Sequence, residues 1–203
     1  VANGGLLDFE SSTSHSITVR TEDNQGLSFD KTLSITVNNL NEVPTDIQLS
    51  NNNIDENSSN GTVIGNFTTT DVDGGDTHTY SLIDDADGRF AINGNQLVVA
   101  NGGLLDFESS TSHSITVRTE DNQGLSFDKT LSITVNNLNE VPTDIQLSNN
   151  NIDENSSNGT VIGNFTTTDV DGGDTHTYSL IDDADGRFAI NGNQLVVANG
   201  GLL

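Results

Sequence analysis

The chain has 203 residues, with 30 acidic side chains against 6 basic ones, a formal charge of −24, and no Cys, Met or Trp. A polyanion adds repulsion where Lys and Arg should release counterions, which excludes nucleic acid as a partner, and the missing cysteines exclude disulfide frameworks and thiolate metal sites. The longest apolar runs, such as Leu97 to Ala100, fall far short of the roughly 20 residues that span a bilayer, so no membrane insertion is expected, and without a signal peptide or anchor the chain reads as an internal piece or a mature soluble segment.

The opening heptad VANGGLL recurs at 99–105 and 197–203, and residues 1–98 and 99–196 are identical letter for letter. Each period of 98 residues holds 15 acidic and 3 basic residues, a charge of −12. That length is a whole domain, not one turn of a solenoid. The only prolines, Pro44 and Pro142, stand in identical Asn-Glu-Val-Pro linkers that follow strand-like runs. The chain is therefore expected to hold the C-terminal part of one repeat (1–40), a complete repeat (41–138) and the N-terminal part of a third (139–203).

Within the complete repeat apolar residues alternate with the period of two that half-buried strands require. In chain order the expected strands carry Ile47 and Leu49; Val63, Phe67 and Thr69; Tyr80 and Leu82; Phe90 and Ile92; Leu97 and Val99; Ile115 and Val117; and Phe127, Leu131, Ile133 and Val135. Turn chemistry separates them, at Asn60-Gly61, Gly74-Gly75, Gly88, Asn93-Gly94 and Asn122-Gln123-Gly124, with Asn93-Gly94 reading as a hairpin tip. Lys129 breaks the alternation of the last strand, as a bulge or an edge position would. No stretch sustains a period of 3.6. Seven short strands in this length predict an all-β fold, a Greek-key β-sandwich.

The acids are clustered. Asp71 and Asp73 stand in a glycine-rich loop at a strand end, Asp106 and Glu108 flank Phe107 before the sixth strand, Asp121 closes that strand, and Glu56 follows the first. Close-set carboxylates repel, by about 4 kcal/mol for unit charges 4 Å apart at an effective dielectric near 20, so such clusters call for a cation. Oxygen ligands on irregular loops suit calcium better than octahedral magnesium. An EF-hand is ruled out: loops begun at Asp71 or Asp85 place Leu82 or Gln96 where the bidentate Glu should stand.

Glu56-Asn57, Thr70-Asp71-Val72-Asp73, Leu105-Asp106-Phe107-Glu108, Val117-Arg118-Thr119-Glu120-Asp121 and the Asn-Glu-Val-Pro linker occur in the order and approximate spacing of a cadherin repeat. The chain resembles the bacterial cadherin-like repeats strung along large secreted surface proteins. The resemblance implies Ca2+ between successive domains. At the first junction it implies ligands from Asp8, Glu10, Asn39, Asn41, Glu42, Asp71, Asp73 and Asp121. At the second it implies Glu56, Asp106, Glu108, Asn137, Asn139, Glu140, Asp169 and Asp171. Each set lacks one ligand, the upstream counterpart of Glu56 in the first and a downstream counterpart of Asp121 in the second. The linker also has Asn137 where the family has Asp and is one residue shorter, which implies fewer or weaker ions.

His78 and His113 fall on strands and read as structural, and no nucleophile or carboxylate pair stands out, so no enzyme is expected. The leading expectation is an extracellular stalk, filament or adhesin repeat at a cell surface, stiffened by Ca2+. The alternative is a module that binds cell-surface polysaccharide through its Ser/Thr/Asn-rich loops. The expected partner is self: neighbouring repeats, and head-to-tail chains, because residues 139–203 of one chain and 8–40 of another make up one 98-residue period.

Overall fold

A computed structural model describes Gly5 and residues 7–203; the start of the leading segment, 1–4 and 6, lies outside the described residues. The chain forms two compact units, one running to Asn136 and one from Asn137 onward. Among the described residues there is no α-helix, and no helix is long and apolar enough to cross a membrane.

The first unit opens with an antiparallel hairpin, β1 (Ser14–Glu22) and β2 (Ser28–Thr36), in unbroken register from Ser14 opposite Thr36 to Glu22 opposite Ser28. A sandwich of two four-stranded sheets follows. One sheet runs β3 (Asp46–Leu49), β5 (Val63–Thr70), β8 (Gln96–Val99), β7 (Phe90–Asn93). The other runs β4 (Asn53–Asp55), β10 (Ser126–Asn136), β9 (Ser112–Asp121), β6 (His78–Asp84). Every pairing is antiparallel except β4 with β10. The inward residues meet in one core, where Ile47, Phe67, Phe90, Leu97 and Val99 pack with Ile115, Val117, Ile133 and Val135. Burying one such side chain fully is worth roughly 1.5–3 kcal/mol, so this layer holds the two sheets together.

The expected β-sandwich is present, and it differs from the alternation in two places. The opening segment is split: β3 joins one sheet, and Ile54 on the three-residue β4 crosses to the other, beside β10. Lys129 makes no bulge. The β9–β10 register runs unbroken through it, and its ammonium donates to Asp46 Oδ1 on the facing sheet at 2.6 Å. An inward position at the open rim thus holds an ion pair in place of an apolar contact. The hairpin between β7 and β8 forms as expected, with Gly94 at φ +64°.

Gly102 allows the tightest approach in the sandwich. A Cβ there would stand 1.7 Å from the Ser58 carbonyl oxygen. The glycine opens a single 3-10 turn (Gly102–Leu104), and its N–H donates to Asn60 Oδ1 at 2.9 Å. That turn delivers buried Leu105 and, just beyond it, Asp106 and Glu108.

The second unit holds one sheet, β11 (Asp144–Leu147), β12 (Val161–Thr168), β14 (Gln194–Val197), β13 (Phe188–Asn191). Its strands repeat the sequence and the register of β3, β5, β8 and β7. Residues 176–182 and 151–153, with the sequences of β6 and β4, are not strands here.

Candidate metal centre

Strand β10 runs from beside Asp121 to beside Glu56, so the acids of the sandwich lie at its two ends. At the first end, β5 finishes at Thr70 and the chain turns through Asp71 to Asp76, with Gly75 at φ +142°. Glycine suits that left-handed geometry, and the turn brings the loop carboxylates toward the linker before Pro44.

Two carboxylate clusters form there. Glu10, Glu42 and Asp73 each place an oxygen within 4.8 Å of the others, and Asp71, Asp76 and Asp121 do the same. Glu10 comes from the turn before β1, Glu42 from the linker and Asp73 from the sandwich loop, three segments far apart in sequence. Beside them Phe9, Thr13, Asn39 and the Gly74–Asp76 loop complete a cleft of about 310 Å³.

The linker asparagines bind the acids through their amides. Asn39 Nδ2 donates to Asp73 Oδ1 at 2.7 Å and Asn41 Nδ2 to Asp121 Oδ2 at 2.8 Å, while the Glu42 N–H donates to Asp73 Oδ2 at 2.8 Å. That backbone bond, then the Asn39 amide, holds the Asp73 carboxyl below its ordinary range. Burial pushes Asp121 up, but donors from Asn41 and the main chain of Leu125, Gln123 and Gly124 outweigh it, and the net direction is down. Glu42 goes the other way: loss of hydration raises it, and the charges of Glu10, Asp73 and Asp8 raise it further. Asp76 is likewise raised by loss of hydration and by Asp73, Asp121 and Asp71. Acids pushed up by their neighbours mark a site with more negative charge than its donors balance.

The donor set fits a hard cation. It is all oxygen and clustered on loops, and the buried Asn41 Oδ1 has no hydrogen-bond partner among the described residues. Buried polar atoms are rarely left unsatisfied, and a carbonyl-type oxygen beside carboxylates is a usual calcium ligand.

Of the residues expected at the first junction, the fold thus brings together Glu10, Glu42, Asp73, Asp71 and Asp121, with Asn39 and Asn41 bonded to them. Asp8 is turned to its own loop, where it accepts from Ser11 Oγ at 2.7 Å and from the Glu10 N–H. Asp76 joins the second cluster without having been expected. It is the last acid of the Asp71–Asp76 loop, and its spacing alone would have suggested it. Asp71 also accepts from His78 Nε2 at 2.9 Å, which gives that histidine a structural partner.

At the other end of the sandwich Glu56 is 1% exposed and accepts the Phe107 N–H at 2.8 Å, which sets it beside Asp106 and Glu108. Asp106 accepts from Ser109 N–H and Oγ, as Asp8 does from Ser11. In the second unit Asn137 donates to Asp171 Oδ1 at 2.9 Å and the Glu140 N–H to Asp171 Oδ2 at 2.7 Å. Asn139 donates to the Glu140 carbonyl, and Asp169 is lowered by its hydrogen bond from His176. The linker thus grips its loop in the second unit as it does in the first. The loop at Asp85–Gly88, left-handed at Ala86, Asp87 and Gly88, is closed by Arg89 donating to the Ala86 carbonyl.

Residues 50–136 match the family model for the cadherin domain. This segment is a cadherin domain. The flanking segments repeat parts of it letter for letter. Among solved structures the chain is similar to extracellular cadherin domains 1–4 of protocadherin gamma B7, at 24% identity and a TM-score of 0.66, over 96% of this chain and 51% of that one. It is also similar to mouse cadherin-23 EC22–24, at 24% identity and a TM-score of 0.64, over 94% of this chain and 66% of that one. The EC3–6 cis-dimer structure of protocadherin gamma B7 matches at 24% identity and a TM-score of 0.61, over 95% of this chain and 51% of that one. These likenesses concern the fold, and the chain spans about half the length of the protocadherin structures. No curated protein matches it.

Proposed function

We propose that this chain is part of an extracellular tandem array, a stalk, filament or adhesin repeat at a cell surface, whose cadherin domains are stiffened by calcium at their junctions. The role is mechanical and adhesive, not catalytic. The observation that carries the reading is the convergence of Glu10, Glu42 and Asp73 from the preceding segment, the linker and the sandwich within 4.8 Å. Without a cation those charges repel and leave the linker free to bend. A bound Ca2+ ties the three segments together through Glu10, Glu42 and Asp73, with Asp71, Asp76 and Asp121 alongside. Sites of the ~10⁻⁴–10⁻³ M class seen in extracellular modules fill at the millimolar calcium found outside cells.

On sequence identity the same proposal extends to Glu56, Asp106, Glu108, Asn137, Asn139, Glu140, Asp169 and Asp171, and to the division of the chain into repeats at 41–138. The likeness to a structure described as a cis-dimer supports self-association as the adhesive mode. Small-angle scattering of the chain with calcium and with chelator tests the reading: calcium should extend and narrow the distribution of dimensions, and unchanged dimensions would refute it.

A further inference from the structure

Three Asn-Gly pairs stand in the complete repeat, Asn60-Gly61, Asn93-Gly94 and Asn101-Gly102. An asparagine before glycine can lose its amide without an enzyme, because no side chain on the glycine hinders its main-chain nitrogen from reaching the asparagine Cγ. The fold treats the three pairs differently. The Gly61 N–H donates to the Val99 carbonyl at 2.7 Å. The Gly102 N–H donates to Asn60 Oδ1 at 2.9 Å, which engages the nitrogen of one pair and the amide of another. Gly102 is also buried against the Ser58 carbonyl. Asn93-Gly94 is under none of these restraints. It leads into the two-residue turn between β7 and β8, where Asn93 stands opposite Gln96 and residues 93–95 are exposed. Among the described residues neither the Gly94 N–H nor the Asn93 amide has a hydrogen-bond partner, and a Cβ built on Gly94 would meet nothing within 4 Å. The copy, Asn191-Gly192, repeats the arrangement, with Asn191 opposite Gln194 and Gly192 at φ +63°.

We propose that Asn93 and Asn191 are sites of spontaneous deamidation, with water as the only co-reactant, and that the isoaspartate product reshapes the hairpin. Loss of the Gly94 N–H proton to a base in the solvent frees the nitrogen to attack Asn93 Cγ. An N–Cγ bond forms, the Cγ–Nδ2 bond breaks, and Nδ2 takes up a proton and leaves as ammonia. Water then opens the succinimide ring at one of its two carbonyls. The product is aspartate or, where the main chain now runs through Cγ, isoaspartate. Closing the ring turns the 93–94 peptide plane, which costs no more than the last rung of the hairpin. At Asn60 it must break the bonds to Val99 and Gly102 as well. Either product adds a negative charge to a chain already at −24. Isoaspartate also places an extra carbon in the main chain of the Asn93–Gln96 rung. One rung inward Ile92 pairs with Leu97, which is 0% exposed, and the Asn95 carbonyl accepts the Phe67 N–H at 2.7 Å. The change at the tip therefore reaches the core through β5, β7 and β8.

The test is to age the 203-residue chain in mildly alkaline buffer and to follow each Asn-Gly pair by tandem mass spectrometry of its tryptic peptides. It is run in chelator, so its outcome is separate from that of the junction reading. The mass gain of amide-to-acid conversion should appear at Asn93 and Asn191 more than about tenfold faster than at Asn60, Asn101 and Asn158, whose pairs must first give up hydrogen bonds. In urea the rates should converge, because the protection belongs to the fold. Isoaspartate is then measured with an isoaspartate-specific methyltransferase. The aged chain should melt below a fresh chain carrying Asn93→Asp and Asn191→Asp, which has the charge without the extra carbon. Equal rates at all pairs in the folded chain overturn the proposal. So does a folded chain in which Asn93 and Asn191 stay intact while the urea-unfolded chain converts. An aged chain, rich in isoaspartate, that melts together with the aspartate variant overturns the reshaping of the hairpin.

Discussion

Replacing Ile115 and Ile17 by Ala, one at a time, removes the same atoms from the same nonapeptide, Ser-His-Ser-Ile-Thr-Val-Arg-Thr-Glu, in strands β9 and β1. Local propensity and denatured-state effects therefore cancel between the two variants. What remains is tertiary environment: Ile115 is 0% exposed in the sandwich core and Ile17 is 45% exposed on the hairpin. Deleting three buried carbons costs about 2.4 kcal/mol in transfer at ~0.8 kcal/mol each. The cavity left in a close-packed core brings the total for Ile115→Ala to roughly 3–4 kcal/mol, inside the range of about 2–5 for such changes. At Ile17 about half of the transfer is already forgone and no closed cavity forms, so the cost should stay near or below ~1 kcal/mol. At roughly 4–8 °C per kcal/mol for a domain of this size, the sandwich transition should fall by more than about 10 °C in the first variant and hardly move in the second. Thermal and urea unfolding followed by circular dichroism, at concentrations where the chain sediments as a monomer, would measure both. Equal losses at the two positions would refute the assignment of the core to 41–138.

Calcium itself should stabilise the first unit. With sites of ~10⁻⁴–10⁻³ M and 10 mM Ca2+, mass action gives about 1.4–2.7 kcal/mol per site, visible as a rise in the thermal midpoint that Asp73→Asn should largely remove. Raised Glu42 and Asp76 carboxyls take up protons at a higher pH than ordinary acids, so calorimetric calcium affinity should begin to fall on acidification while ordinary surface carboxylates are still ionised. Burial and the nearby Arg89 charge lower the pKa of His113, which packs 6.3 Å from Phe90. The unfolded chain then binds a proton below about pH 6.5 that the folded one refuses. Its contribution is complete above that pH and is lost as pH falls toward the lowered native value, and His113→Phe should flatten this part of a stability–pH curve. Gly102→Ala drives a methyl against the Ser58 carbonyl at 1.7 Å. Since backbone must move, a cost at or above the ~1–3 kcal/mol of ordinary overpacking is expected in chemical denaturation.

The strands with strong alternation were legible in the sequence because each places two or more apolar residues on one face. Segment β4 was not, since three residues with one apolar side chain, Ile54, carry no period. The stretch His-Thr-Tyr-Ser-Leu-Ile-Asp shows why pattern alone has a limit: it is strand β6 beside β9 and irregular at 176–182. The letters are the same, and the neighbouring hydrogen-bonding edge decides. At the candidate site, the glycine loop and the paired acids pointed to Asp71, Asp73 and Asp121. Only the fold shows Asn39 bonding Asp73 and Asn41 bonding Asp121 across 34 and 80 residues. The turn role of Asp8 and Asp106 lay in a local pattern, an acid three residues before a serine, which their clustering with Glu10 and Glu108 masked.

The parallel pairing of β4 with β10 bears on load. These are an early and the final strand of the sandwich, joined by bonds such as Thr134 N–H to the Asn52 carbonyl at 2.8 Å and Glu56 N–H to the Asn136 carbonyl at 3.1 Å. Pulling on the two ends of the domain drags parallel neighbours in opposite directions along their own length. The bonds between them are then sheared together, whereas a hairpin tugged at its open end is unzipped one rung at a time. A contact of only three residues would thus be the first thing a taut chain has to break.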